Sequence, residues 1–224
     1  MKYYSVDTTL KNPWDRVMVA VWQRYPNPHS RHVLSEDTIL RRVQGPLLFT
    51  KRLLIKTNPI PKWGQRFVHM RHVVIVEESI LDRDSKKMVT YTRNVGYAST
   101  MSTVEKCTYE RYWSEKDGEN THLKREAWIN SQIRGFASVL ERFGIERYRL
   151  NAHNASKGLN YTLNRLAHPP ASTRATGHAN GHSIPDLRSH LTFSEEVRGM
   201  IPISKQRRTD IYDILAQKPP MIVK

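Results

Sequence analysis

The chain has 224 residues, enough for one domain with a sizeable core plus an extension, and no unbroken apolar run approaches membrane-spanning length. Its 36 Lys and Arg outnumber 21 Asp and Glu to give a net charge of +15, and 28 of those cations against 16 of those acids fall before residue 167. Such a surplus implies an anionic partner, nucleic acid or an anionic lipid surface, while the lone Cys107 excludes an internal disulfide and a paired-cysteine zinc site.

The N-terminus, Met1 to Asp7, lacks the apolar core of a secretory signal and carries an acid where an Arg-rich transit helix avoids one, so it reads as mature sequence. It opens a strand at about 2–9. Asn12 is placed to cap a helix whose first position is Pro13, and Trp14, Val17, Met18, Val21 and Tyr25 recur at helical spacing. Pro26 disfavours helical geometry at Tyr25, so the helix should end there, with Arg24 in its last turn and Asn27-Pro28 as an extended turn. A last-turn cation ordinarily offsets the helix dipole, which is one reading of Arg24.

Leu47, Phe49, Leu53 and Ile55 then alternate with Leu48, Thr50, Arg52, Leu54 and Lys56, a strand with one mostly apolar register. Similar strands are predicted at about 32–43, 70–81, 87–95, 103–113 and 121–130, separated by turns at Gln44-Gly45-Pro46, 82–86 and 115–120. Seven strands joined by short turns form an antiparallel meander. Residues 131–166 contain no proline and suit a helix about 50 Å long at ~1.5 Å per residue, with possible kinks at Gly135, Gly144 and Gly158. The fold class is α+β: a curved antiparallel sheet with a short N-terminal helix, gripping a long C-terminal helix around a cavity. From residue 168 the composition turns to Pro, Gly, His, Ser and Thr, which predicts a disordered tail over 168–224 after a domain of 1–167. The tail histidines are too irregularly spaced to read as metal ligands.

On the long helix, Ile133, Leu140, Arg147, Asn151 and Gly158 share a narrow sector at ~100° per residue, so two strongly polar groups sit on the inward stripe. A buried guanidinium needs an anion. A phosphate would accept from both Arg147 and Asn151, and an internal ion pair with Glu77 or Glu105 would serve equally. Lys56 shares the less apolar register with Arg52 and taken alone reads as a solvated strand-end lysine. His32 reads by itself as a structural histidine. The segment from Thr57 to Phe67 holds Pro59, Pro61, Lys62, Trp63 and Arg66 without periodicity, a loop with an apolar tip. Its tryptophan suits either a bilayer interface or the loop's own core. No phosphate loop, nucleophile elbow or metal-ligand spacing emerges, so the sequence carries no signature of an enzyme or a cofactor site.

Several motifs together resemble one family. They are Trp22-Gln-Arg-Tyr-Pro-Asn-Pro28, the following His32-Val-Leu-Ser-Glu-Asp37, Arg52-Leu-Leu-Ile-Lys56 with Pro61-Lys-Trp63, Thr90-Tyr-Thr-Arg-Asn94 and Arg125-Glu-Ala-Trp128. In order and spacing over about residues 1–166 they are similar to the PRELI family of mitochondrial intermembrane-space lipid-transfer proteins. The resemblance implies a helix-grip fold of the START/PITP type. It also implies a cavity whose lipid head-group end is lined by Arg24, His32, Lys56, Arg147 and Asn151, and a lid that meets the membrane through Pro61, Lys62, Trp63 and Arg66. Where relatives often carry a lysine this chain has Asn154, so charge complementarity to the head group would be weaker here or be supplied from elsewhere, for example by Arg149 or Lys157. Without any cofactor, such a carrier would move phosphatidic acid between mitochondrial membranes in support of cardiolipin synthesis. Its partner would be a small helical protein with twin Cys-x9-Cys motifs. The alternatives are a phosphatidylserine carrier of the same fold, a basic single-stranded RNA-binding module stacking bases on Trp63, Tyr91, Tyr109 and Tyr112, and an adaptor acting through its tail.

Overall fold

All seven predicted strands form, with ends displaced by at most three residues, in the order β1 (Lys2–Leu10), β2 (Val33–Gln44), β3 (Leu47–Thr57), β4 (His72–Asp82), β5 (Lys87–Asn94), β6 (Ser102–Ser114) and β7 (Gly118–Asn130). The computed structural model describes residues 1–57, 62, 72–95, 97–98 and 100–168. Of the expected lid, Lys62 is exposed, while Pro61, Trp63 and Arg66 lie outside the described residues, as does the expected tail beyond His168.

The strands build one curved antiparallel sheet ordered β1-β7-β6-β5-β4-β3-β2. Consecutive strands from β2 to β7 are neighbours, whereas β1 and β2 occupy opposite edges. The connection between those edges contains α1 (Trp14–Trp22). Trp14, Val17, Met18, Ala20 and Val21 on α1 are buried against Leu10, Met88, Cys107, Tyr109 and Leu123 of the sheet and against Leu159 and Leu163 of α2 (Ala137–Ala167). Full burial of each large apolar side chain in such a layer contributes roughly 1.5–3 kcal/mol.

Both ends of α1 differ from the expectation. Asn12 does not cap the helix; Pro13 takes the flanking position with φ −55° and ψ 145°. The Trp14 N–H is accepted instead by Glu119 Oε1 of β7 at 3.2 Å, a carboxylate from a distant strand at the positive helix end. At the other end the helix stops at Trp22, and no basic residue lies in its last turn. Gln23 leaves helical geometry, and the Arg24 carbonyl is taken by the Asn27 side-chain amide at 2.6 Å. Arg24 therefore stands outside the helix and does not offset its dipole.

α2 is one unbroken helix of 31 residues, about 46 Å at ~1.5 Å per residue. It begins six residues later than predicted, because residues 131–136 are held by tertiary bonds. The Ser131 N–H goes to Glu141 Oε1 at 3.2 Å and its hydroxyl to the Thr100 carbonyl at 2.7 Å. Gly135, with φ +76°, then turns the chain into the helix. Gly144 and Gly158 do not interrupt it. Ile145, Tyr148 and Ala152 of α2 pack on Ala127 and Ile129 of β7 and on Tyr4 of β1. Helix and sheet are thus clamped together on both sides of the space between them.

Candidate functional site

That space is a cavity of about 260 Å³ bounded by α2, the end of α1 with its following loop, and one face of the sheet from β3 to β7. Which register faces it follows from the pairing. Leu54 and Lys56 of β3, Ile75 and Glu77 of β4, and Glu105 and Cys107 of β6 all line the cavity. In β3 the register that reads as less apolar points inward, and Phe49, Leu53 and Ile55 belong to the opposite face. Lys56 is accordingly no solvated edge lysine: β3 lies between β2 and β4, and the Lys56 side chain borders enclosed space.

Two groups of buried charges form the sheet wall. Glu77 accepts from Arg24 Nη2 on one carboxylate oxygen and from Arg52 Nε and Nη2 on the other. Arg52 reaches on through Nη1 to Glu36 Oε1 at 3.1 Å, and its guanidinium lies 5.0 Å from the centre of the Trp22 ring. Burial alone would raise the Glu77 pKa, but the charges and hydrogen bonds of Arg24 and Arg52 bring it down to about 2. Across the wall Glu105 accepts from Arg125 Nη1 and, at 2.7 Å, from the Tyr148 hydroxyl of α2. Burial again works against ionisation there, and Arg125, the Tyr148 hydrogen bond and Lys56 outweigh it to hold the carboxyl below its ordinary range. Cys107 lies beneath these groups with its pKa pushed up to about 12 by burial and by Glu105, so it stays a thiol.

The five residues expected at a head-group site all reach this cavity: Arg24 from the loop after α1, His32 just before β2, Lys56 near the end of β3, and Arg147 and Asn151 from α2. The carboxylates considered as partners for Arg147 are bonded to other groups, Glu77 to Arg24 and Arg52 and Glu105 to Arg125 and Tyr148. The His32 carbonyl accepts the Thr57 N–H at 2.8 Å, which sets the ring beside Lys56. Burial lowers the His32 pKa, and the charges of Lys56 and Arg147 lower it further; burial likewise lowers that of Arg147. This end of the cavity therefore carries positive potential that disfavours another cation. Asn154, Arg149 and Lys157 are not among the lining residues. Arg149 is exposed and paired with Glu146 at 3.0 Å, and Lys157 is exposed, so neither replaces the lysine expected at Asn154.

The loop carrying Arg24 and His32 is seated on α2. Besides holding the Arg24 carbonyl, the Asn27 amide accepts the His29 N–H through Oδ1 at 3.0 Å. It lies so close to Gly158 that a Cβ added there would come within 2.7 Å of Asn27 Oδ1 and 2.8 Å of Nδ2. The inward glycine of the α2 stripe thus admits the loop that positions two cavity residues. The charged wall itself is what sequence reasoning missed. Its signal is a pair of adjacent acids, Glu77 and Glu78, directly after the apolar run Val73 to Val76, one of which must face inward.

Among the described residues no group of His, Cys, Asp or Glu is arranged to hold a metal ion, and no helix is long and apolar enough to cross a membrane. Tyr109, one of the proposed base-stacking platforms, is buried under α1 and cannot stack on a base.

A seven-stranded antiparallel sheet gripping a long helix around a charge-lined cavity defines a protein of the helix-grip class. The crystal structure of TTHA0849 from Thermus thermophilus shares this fold over 74% of the chain and 99% of its own, with TM-score 0.51 and 14% identity. The PRELI-like family model matches residues 15–169, and the chain belongs to that family. It is 41% identical over 169 residues to PRELI domain-containing protein 1, mitochondrial, of Gallus gallus, covering 74% of this chain and 78% of the relative. It is 28% identical over 173 residues to Protein UPS2, mitochondrial, of Saccharomyces cerevisiae, covering 73% of each. Membership supports, at the level of the family, the lipid-transfer role expected from the resemblance.

Proposed function

We propose that the protein is a non-enzymatic carrier that extracts phosphatidic acid from one mitochondrial membrane, shields it between sheet and α2, and releases it at another. The observation that carries this reading is the meeting of Lys56, Arg147 and Asn151 in one cavity beside His32, whose pKa burial and then those two cations lower. Two cations and an amide suit a phosphate, whose oxygens accept from all three, and in enclosed space such charge-assisted bonds are stronger than at the surface. The carrying unit is the domain of residues 1–167, with the loop around Lys62 and Trp63 as its membrane-facing lid. Arg24 belongs to the head-group end as a third cation. Residence in the intermembrane space, a small twin Cys-x9-Cys partner and a supply of lipid for cardiolipin synthesis complete the proposal on the strength of family membership.

The test is native mass spectrometry of the full chain, followed by transfer of labelled lipids between donor and acceptor vesicles. A co-purifying phospholipid and movement of phosphatidic acid are expected. Lys56→Ala should weaken capture about tenfold, the worth of one charge-assisted bond, with a small change in stability. Movement of phosphatidylserine in preference would transfer the assignment to that lipid, and absence of any bound or moved lipid would end the carrier reading.

A further inference from the structure

An anion-binding cavity whose wall displays a buried carboxylate poses a contradiction, and the arrangement around Glu77 answers it. Its two oxygens are divided between two arginines that differ in how firmly they are held. Arg52, with its side chain 2% exposed, is fixed by Glu77, by Glu36 at 3.1 Å and by the face of Trp22. Arg24, 16% exposed and bordering the cavity, has Glu77 and a long 3.4 Å bond from Nη1 to the Val21 carbonyl, with the Tyr25 ring 5.0 Å away. If Arg24 turned from Glu77 toward the cavity, Glu77 would give up the bond on Oε2 but keep both bonds from Arg52 on Oε1, so its charge would remain paired with a cation. The opposite exchange is closed, because releasing Arg52 would also strand Glu36, whose second oxygen Oε2 is already buried without a partner.

We infer that Glu77 is an internal competitor for Arg24: it holds the guanidinium while the cavity is empty, yields it to the phosphate of an arriving anionic lipid, and reclaims it when the lipid leaves. The inference rests on the reading of the cavity as an anionic-lipid site and adds a residue that touches no lipid. A carrier has to let go of what it binds, and a competing carboxylate lowers the affinity of the loaded state by the worth of the bond that has to be broken. Glu77 in this role is a positioning residue acting through Arg24.

The experiment is a double-mutant cycle on the full chain, with phosphatidylcholine vesicles containing fluorescent phosphatidic acid as the probe and lipid dissociation read by dilution into unlabelled vesicles. Glu77→Gln leaves Arg24 without its competitor, so binding should tighten about tenfold and dissociation should slow by a similar factor. Placed in an Arg24→Met background, the same substitution should lose most of its effect. If Glu77→Gln impairs folding, Glu77→Asp, which withdraws the carboxylate by one methylene, should act in the same direction to a smaller extent. Unchanged or weaker binding in these variants, with the wild type binding normally, would overturn the inference. So would an undiminished gain in the Arg24→Met background, which would mean a long-range charge effect. Failure of the wild type itself to bind would instead remove the carrier reading.

Discussion

The layer beneath α1 and the sheet wall beside it are both withdrawn from water, yet they are built on opposite principles. Trp14, Val17, Met18 and Val21 meet Leu123, Leu159 and Leu163 through apolar contact alone, apart from the Trp14 indole N–H, which reaches the Tyr109 carbonyl at 3.3 Å. Along the same sheet, Arg24, Arg52, Glu77, Glu105 and Arg125 are nearly as buried and are held by mutual charge. Apolar contact is non-directional, whereas buried charge pairs are directional and can exchange a partner only where another charge takes its place. The first region fixes the helix to the sheet, and on the inference above the second responds to a ligand.

Substitutions should separate these roles. Trp14→Ala is expected to lose about 3–5 kcal/mol in chemical denaturation while the surviving folded molecules keep their lipid affinity. A matching loss of affinity would show that the two regions are not independent. Acid should act on the charged wall and spare the apolar layer. Because the Glu77 pKa is about 2 in the folded protein and near 4.5 in the unfolded chain, its contribution is complete above pH 4.5 and vanishes as the pH falls toward 2. Denaturation midpoints across that window should fall for the wild type and change less in Glu77→Gln. Next in size, Gly158→Ala should cost about 1–3 kcal/mol by forcing Asn27 off the helix, and should weaken lipid binding as well because Arg24 and His32 move with it. A stability loss with unaltered binding would assign Gly158 to packing alone. The smallest effect is expected at His32. Burial, Lys56 and Arg147 lower its pKa, and a bound anion would oppose those charges. Its ring signals in an NMR titration should therefore show the pKa rising on lipid addition, with binding tightening as the pH falls through the bound and then the free value.

Most of the fold was legible because its signals are local. Period-two alternation marked the strands, and the Trp14-Val17-Met18-Val21 spacing marked α1. The start of α2 was not legible, since residues 131–136 are held by bonds to Thr100 and Glu141, which no local pattern encodes. The site divides in the same way. Arg147 and Asn151 could be placed inward from helical spacing, whereas Lys56 pointed outward by the usual rule that the more apolar register faces the core. That rule fails here because the inward register carries Arg52, whose charge is met by Glu77 on the neighbouring strand, and Lys56, which borders the cavity. The Glu77 pairs were out of reach for another reason: Arg52 meets it through the β3–β4 register, and Arg24 comes from a loop 53 residues earlier in the chain.

On the carrier reading, the inward turn of the polar register also bears on the protein between cargoes. A cavity walled by oily side chains stays dry when emptied, and its walls tend to close on one another. Walls bearing Lys56, Thr92, Glu105 and Asn151 offer hydrogen bonds to solvent, so water can take the place of a departing ligand and keep the interior open. On the carrier reading, loading would then be a displacement of hydration from these groups.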